Sequence, residues 1–202
     1  MLKKKRLITV LTASIMLSAI VGAVVYFVYY SGKALKGNYI GMRAYKNSDA
    51  DTKLNASTNT LEEFSSTDQR KVEINDTEYV WMRADQDDWD GMHFMFDLGG
   101  YNVEKLAGIR FTWIGRIIGP DSCDCMELWC YKDSGWVKFD DINQSVWMTK
   151  TGNWTSSLAD YIDADSKVHF SVVIHVKDGQ PLETISAYLL TQFVNLEVSY
   201  LS

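Results

Sequence analysis

The chain has 202 residues, 47% of them hydrophobic and 13% aromatic, with seven Trp, 13 Gly and only two Pro. That content excludes a disordered or low-complexity chain, which lacks the apolar surface to offset chain entropy, and the length fits one globular domain of ordinary size. The formal net charge is −6, and residues 31–202 hold 16 basic against 26 acidic side chains. Such a domain repels a phosphate backbone, so no nucleic-acid partner is expected.

The first six residues read MLKKKR, and Leu7–Tyr30 then runs 24 residues without a charge. At about 1.5 Å per residue a helix of that length spans about 36 Å, enough to cross a hydrocarbon core of about 30 Å with some tilt. Tyr26, Phe27, Tyr29 and Tyr30 at its far end resemble an interfacial aromatic belt. The reading is a cytoplasmic basic tail at 1–6 and one transmembrane helix at 7–30, in contact with membrane lipid. A cleaved secretory signal ending near Val21-Gly22-Ala23 is the rival. Cutting there leaves VVYFVYY as an apolar N-terminus, which favours the retained anchor. Lys3, Lys4, Lys5 and Arg6 outweigh Lys33 and Lys36 across the span, so the positive-inside bias puts the N-terminus in the cytoplasm and the C-terminal domain outside. Four N-x-Ser/Thr sequons, at Asn55, Asn75, Asn143 and Asn153, agree with a glycosylated exterior domain.

Residues 49–71 are polar and rich in Ser, Thr, Asp and Asn, and 31–71 read as a stalk and polar loop with a possible first strand. From Val72 onward, period-2 alternation recurs between turn signals. Phe94, Phe96 and Leu98 share one face of their segment; Ile109, Phe111 and Trp113 share one face of theirs. Met126, Leu128 and Cys130 alternate with Glu127, Trp129 and Tyr131, and Lys132-Asp133-Ser134-Gly135 turns the chain into Trp136–Phe139 as a hairpin. Phe170, Val172 and Ile174 oppose His169, Ser171, Val173 and His175, the second set reading as a solvated face. Val194, Leu196, Val198 and Tyr200 oppose Asn195, Glu197 and Ser199. Many short alternating strands with no three-turn helix between them predict an all-β, antiparallel two-sheet sandwich over 72–202.

Over residues 72–202 the order of motifs resembles that of jelly-roll, galactose-binding-like ectodomains of prokaryotic, especially archaeal, membrane-anchored surface proteins. The matching pieces are Asp87-Asp88-Trp89-Asp90, LAGIRFTWIG, LWCYKDSGWVKF, WTSSLADYIDADSKVHFSVVI and FVNLEVSYL. The resemblance implies a jelly-roll β-sandwich with a binding or structural role and supplies no ligand.

Three constellations carry candidate chemistry. Asp85, Asp87, Asp88 and Asp90 surround a turn beside Gly91, and alternating carboxylates of this kind can converge on a structural calcium; a solvated acidic turn is the alternative, and the strand flanks exclude an EF-hand. Cys123, Cys125 and Cys130 form C-x-C-x4-C, which lacks a fourth zinc ligand. Outside the cell Cys130 can close a short disulfide loop with Cys123 or Cys125; three unpaired thiols with Cys130 in the core is the other reading. Trp89, Trp129, Tyr131 and Trp154 are the rings placed to stack on a sugar, because a planar ring packs on C–H groups while polar neighbours bind hydroxyls. No G-x-S-x-G elbow, H-E-x-x-H helix, Walker loop or dinucleotide fingerprint occurs, and no cofactor is expected. The function expected is a non-catalytic, membrane-anchored cell-surface module that recognises a glycan or envelope polymer. A structural subunit of a membrane or surface assembly, contacting other protein subunits, is the alternative.

Overall fold

The computed structural model describes residues 38–47, 61–85, 89–119, 126–133, 135–142, 145–175 and 186–200. The expected transmembrane helix at 7–30 lies outside these. Among the described residues no helix is long and apolar enough to cross a membrane.

Alternation in the sequence becomes burial in the strands. The described elements are β1 (Asn38–Tyr39), β2 (Met42–Asn47), β3 (Glu62–Glu63), α1 (Ser66–Glu73), β4 (Val80–Ala84), β5 (Trp89–Asp97) and β6 (Leu106–Ile118). After these come β7 (Met126–Lys132), β8 (Gly135–Ile142), β9 (Met148–Trp154), β10 (Lys167–His175) and β11 (Ala187–Tyr200). In β6 the side chains of Ile109, Phe111, Trp113 and Ile117 are buried while Arg110 is exposed; in β7 Met126, Leu128 and Cys130 point inward. The loop between β7 and β8 is the tight turn read from the sequence, with Asp133 in the left-handed region at φ 52°.

Every strand pair is antiparallel. One sheet runs β4–β11–β6–β9, with β1 sharing the β4 edge of β11; the other runs β3–β2–β5–β10–β7–β8. From β4 to β11 the chain therefore alternates between sheets except at the β7–β8 hairpin. The interleaved orders β4–β11–β6–β9 and β5–β10–β7–β8 are those of an eight-stranded, two-Greek-key jelly roll. Between the sheets Phe111 stacks on Phe170 at 4.0 Å between ring centroids, with Phe96 and Phe139 edge-on to Phe111. Each such buried ring contributes about 1.5–3 kcal/mol relative to exposure. A bulge between Thr191 and Phe193 resets which residues of β11 face inward, so that Leu189 and Thr191 precede it on the core side and Val194, Leu196 and Val198 follow. Thr191 uses its hydroxyl to accept from Trp113 Nε1–H at 3.0 Å.

Two expectations are corrected. The boundary at Val72 falls inside the fold: β1, β2, β3 and α1 all precede or span it, and β2 is an interior strand between β3 and β5. Met42, Ala44, Phe64 and Val72 carry this segment into the core between polar residues that mask the pattern. Helix α1 starts where Ser65 Oγ accepts from the Asp68 backbone N–H at 3.1 Å, an S-x-x-D cap, and Gln69 ties it to β2 through Met42 O and Ala44 N. The face of β10 that reads as solvated is instead buried, with His169, Ser171 and Val173 at 2%, 1% and 6% exposure.

Candidate functional site

On the outer face of the six-stranded sheet, strand register sets Tyr45, His93, Ser171, Trp129 and Lys138 in one row and Arg43, Met95 and His169 in the next. His93 Nε2 lies 2.9 Å from His169 Nδ1, and His169 Nε2 lies 2.8 Å from Asp163 Oδ2. Asp163 stands just before the strand, and its Oδ1 also accepts from the Lys167 and Asp165 amides. Burial works against the charged carboxyl, but the hydrogen bonds from His169 and the two amides hold it below the usual carboxylate range. Burial pushes His169 down against the pull of Asp163, and pushes His93 down to about 3 with help from the His169 ring. Both rings are neutral at pH 7. An ionised Asp163 fixes the proton of His169 on Nε2, leaving Nδ1 to accept from His93 Nε2–H, so the chain of bonds runs in one direction. Tyr45, Trp136 and His169 enclose His93 edge-on. With the two rings 1% and 2% exposed, this array orders the sheet and presents no acid or base to an outside substrate.

Trp129, Tyr131 and Trp136 cluster at the β7–β8 edge of the same face, all half-buried. Trp129 Nε1–H donates to Glu127 Oε2 at 3.1 Å, Lys138 pairs with Glu127 at 3.2 Å, and Tyr131 meets Trp136 and His169 edge-on. Trp136 Nε1 is buried without a hydrogen-bond partner. The structure thus brings Trp129 and Tyr131 together. It separates Trp154, which is half-buried and packs against the core through Phe139, Phe170 and Tyr161 at 5.1–5.5 Å, away from that cluster. Gly152 leaves the space its ring fills. The backbone of Trp89 pairs with His175 at the end of β5; its side chain lies outside the described residues.

The other expected sites divide similarly. Asp85 is held by Arg83 and Ser186, both at 2.7 Å, with Ser186 and then Arg83 keeping its carboxyl below the ordinary range. Asp90 is buried on β5, while Asp87 and Asp88 lie outside the described residues. Among the described residues no three His, Cys, Asp or Glu side chains gather as a metal site. Asn75 and Asn153 are exposed, Asn153 within β9 opposite Arg110; Asn55 and Asn143 fall outside the described residues. Cys130 is a free thiol in the core, its Sγ directed at Val137 O at 3.6 Å. The expected Cys123–Cys130 disulfide is therefore not formed: the inward parity of Cys130 on β7 leaves it a free, buried thiol, and Cys123 and Cys125 lie outside the described residues.

Among the described residues the most exposed rings stand on the outer face of the five-stranded sheet, where the sequence reading named no candidate. Val80, Met82 and Ala84 of β4 point inward, which turns Trp81 outward at 57% exposure. Trp81 meets Tyr188 of β11 at 5.8 Å, and Tyr79 (42% exposed) meets Trp147 (39%) at 5.9 Å. Register places Trp81, Leu190 and Arg116 in a row across the three strands, and the Arg116 guanidinium sits 4.9 Å over the Trp147 ring. A groove of about 370 Å³ flanks the rings, lined by Tyr79, Trp81, Arg83, Lys46, Lys71 and Asp68 among others. The alternation in VWMRA was the available signal; its five residues are short enough to pass for part of a loop.

Fold and surface together define a jelly-roll β-sandwich that displays aromatic side chains on both outer faces. Residues 40–200 match the model of the family AF_1625_C, "Uncharacterized protein, C-terminal domain", and the chain belongs to that family. No curated protein matches it. Solved structures overlap it in part. TmCBM61 in complex with β-1,4-galactotriose shares 7% identity over 59% of this chain and 69% of its own, with a TM-score of 0.32. The CBM22-1 xylan-binding domain from Paenibacillus barcinonensis shares 8% over 64% and 92%, with a TM-score of 0.31. The N-terminal cellulose-binding domain of β-1,4-glucanase C from Cellulomonas fimi shares 13% over 60% and 90%, with a TM-score of 0.28. Overlaps of this extent place no ligand on this chain.

Proposed function

We propose that the domain is a non-catalytic glycan-recognition module whose binding surface is the outer face of the five-stranded sheet. The observation that carries this reading is the pairing of the exposed Trp81 with the half-buried Tyr188 on neighbouring strands, and of Tyr79 with Trp147, the residues that lead directly into β4 and β9, beside Arg116. Flat rings held by a sheet lose little freedom on binding, and their faces suit the C–H side of a pyranose while the groove's charged groups reach its hydroxyls. The half-buried edge of Trp129, Tyr131 and Trp136 is the secondary surface. In this proposal the uncharged run at 7–30 anchors the chain in the cell membrane and residues 31–202 face outward.

The test is a glycan array followed by titration calorimetry on the full-length protein in detergent. Binding that is lost in Trp81→Ala and Trp147→Ala, with circular dichroism unchanged, supports the reading; absence of binding to any saccharide rejects it. The exposed Ile118 (41%) and Val146 (57%) favour a second reading, a subunit contact within a surface assembly. Stoichiometric protein companions in a native detergent extract, lost in Ile118→Asp, would favour that role.

A further inference from the structure

Arg116 stands within the aromatic surface and makes no ion pair among the described residues. Its neighbours in charge differ: each of the three cations lining the adjacent groove is held by a carboxylate, Lys46 by Glu62 at 3.1 Å, Lys71 by Asp68 at 3.3 Å and Arg83 by Asp85 at 2.7 Å. Arg43, Arg70 and Arg110 are exposed, where water satisfies a guanidinium. Arg116 is half-buried, with Nε sealed from solvent and without a hydrogen-bond partner among the described residues, where its side chain meets the face of Trp147. A guanidinium stacked on a ring keeps its charge and its fork of donors, and an anionic group that offers two oxygens side by side is the partner that fork fits. In a domain with 16 basic and 26 acidic side chains, a carboxylate neighbour would be easy to supply, and the strands supply none here.

From this we infer that the ligand is anionic: an acidic polysaccharide, bearing uronate carboxylates or ester sulfates, whose acid group is received by Arg116 while its sugar rings lie on Trp81 and Trp147. This rests on the glycan-recognition reading and specifies its ligand class. The acid group supplies the counter-charge that the protein leaves out, and ring stacking holds the guanidinium in the orientation that receives it. Tyr188 and Tyr79 extend the platform to the neighbouring sugars on either side.

The experiment is calorimetric titration of the full-length protein in detergent with oligogalacturonate, sulfated chondroitin oligomers and the methyl-esterified form of the same oligogalacturonate, alongside a panel of neutral oligosaccharides. An acidic oligomer should bind at least about tenfold more tightly than its esterified or neutral counterparts, with the difference shrinking as salt rises. Arg116→Gln should erase that difference while leaving weak, Trp81-dependent binding, and Arg116→Lys should keep part of it. Equal affinity for acidic and neutral oligomers, or a preference that survives Arg116→Gln, overturns the anionic assignment and leaves glycan recognition standing. Failure of every saccharide, acidic or neutral, overturns both.

Discussion

His93 and His169 share a hydrogen bond of 2.9 Å across 76 residues of sequence, and both rings are neutral because the sheet buries them. That neutrality makes the fold sensitive to acid. In the unfolded chain each ring takes a proton near its ordinary value of 6.5, while folded His93 resists until about 3. Between those values the unfolded state binds more protons, so stability falls as pH falls, by up to about 1.4 kcal/mol per pH unit for each proton. Asp163, depressed in the folded state, adds a further loss below its unfolded value. Urea unfolding at pH 7.5, 6 and 5 should show a steadily falling midpoint, and His93→Leu, though less stable at pH 7.5, should flatten the trend. An unchanged midpoint across that range would show that the rings protonate freely in the native state.

Replacing Asp163 by Asn tests the direction of the chain. The carboxylate accepts on both oxygens, from the Lys167 and Asp165 amides on Oδ1 and from His169 on Oδ2. An amide offers one oxygen and one NH2, so in Asp163→Asn either the backbone amides or His169 must face a donor. If the backbone keeps the oxygen, His169 moves its proton to Nδ1 and His93 must switch as well. The expected cost is about 1–3 kcal/mol of stability, the range for an unmade buried hydrogen bond. Imidazole 15N shifts should show both tautomers exchanged; unchanged shifts would count against the assigned bonding direction.

Periodicity carried the reading of the fold furthest where one face is apolar and the other mixed. LAGIRFTWIG and MELWCYK gave their inward faces correctly, because Ile109, Phe111, Trp113 and Met126, Leu128, Cys130 are large and evenly spaced. It failed where burial comes from the outside of a sheet. His169, Ser171 and Val173 look like a wet face, and no local pattern reports that His93 stands opposite Ser171 on the neighbouring strand. It failed also for α1 and β2, whose few apolar anchors lie among Ser, Asp and Lys. The proposed binding surface was half legible: Trp129 and Tyr131 share a face as their spacing requires, yet the exposed Tyr79, Trp81 and Trp147 lie on or beside short segments that only the fold brings together.

Gly115 is where β6 tolerates no side chain. A Cβ there would lie 2.3 Å from Leu190 O and 2.1 Å from the Trp113 ring, and the carbonyl belongs to a paired strand that cannot retreat. Gly115→Ala should cost about 3 kcal/mol, toward the upper end of overpacking effects. The control is Gly135→Ala, whose Cβ meets nothing nearer than Lys132 O at 3.8 Å and should shift the unfolding midpoint little. Equal midpoints for the two variants would mean that β6 and β11 separate at this point without penalty.

The thiol of Cys130 gives a chemical reading of the core. Burial raises its pKa to about 11, against the smaller opposing effect of its hydrogen bond and of Lys132. At pH 8 the thiolate that attacks iodoacetamide is therefore scarce, and the side chain, 2% exposed, is shielded as well. Cys130 should remain unlabelled in the native protein and react fully in 6–8 M urea, as read by peptide mass mapping. Because it is free, Cys123→Ser should leave the melting temperature the same with or without reductant. A Cys123–Cys130 cross-linked peptide recovered from the native protein would contradict the free thiol.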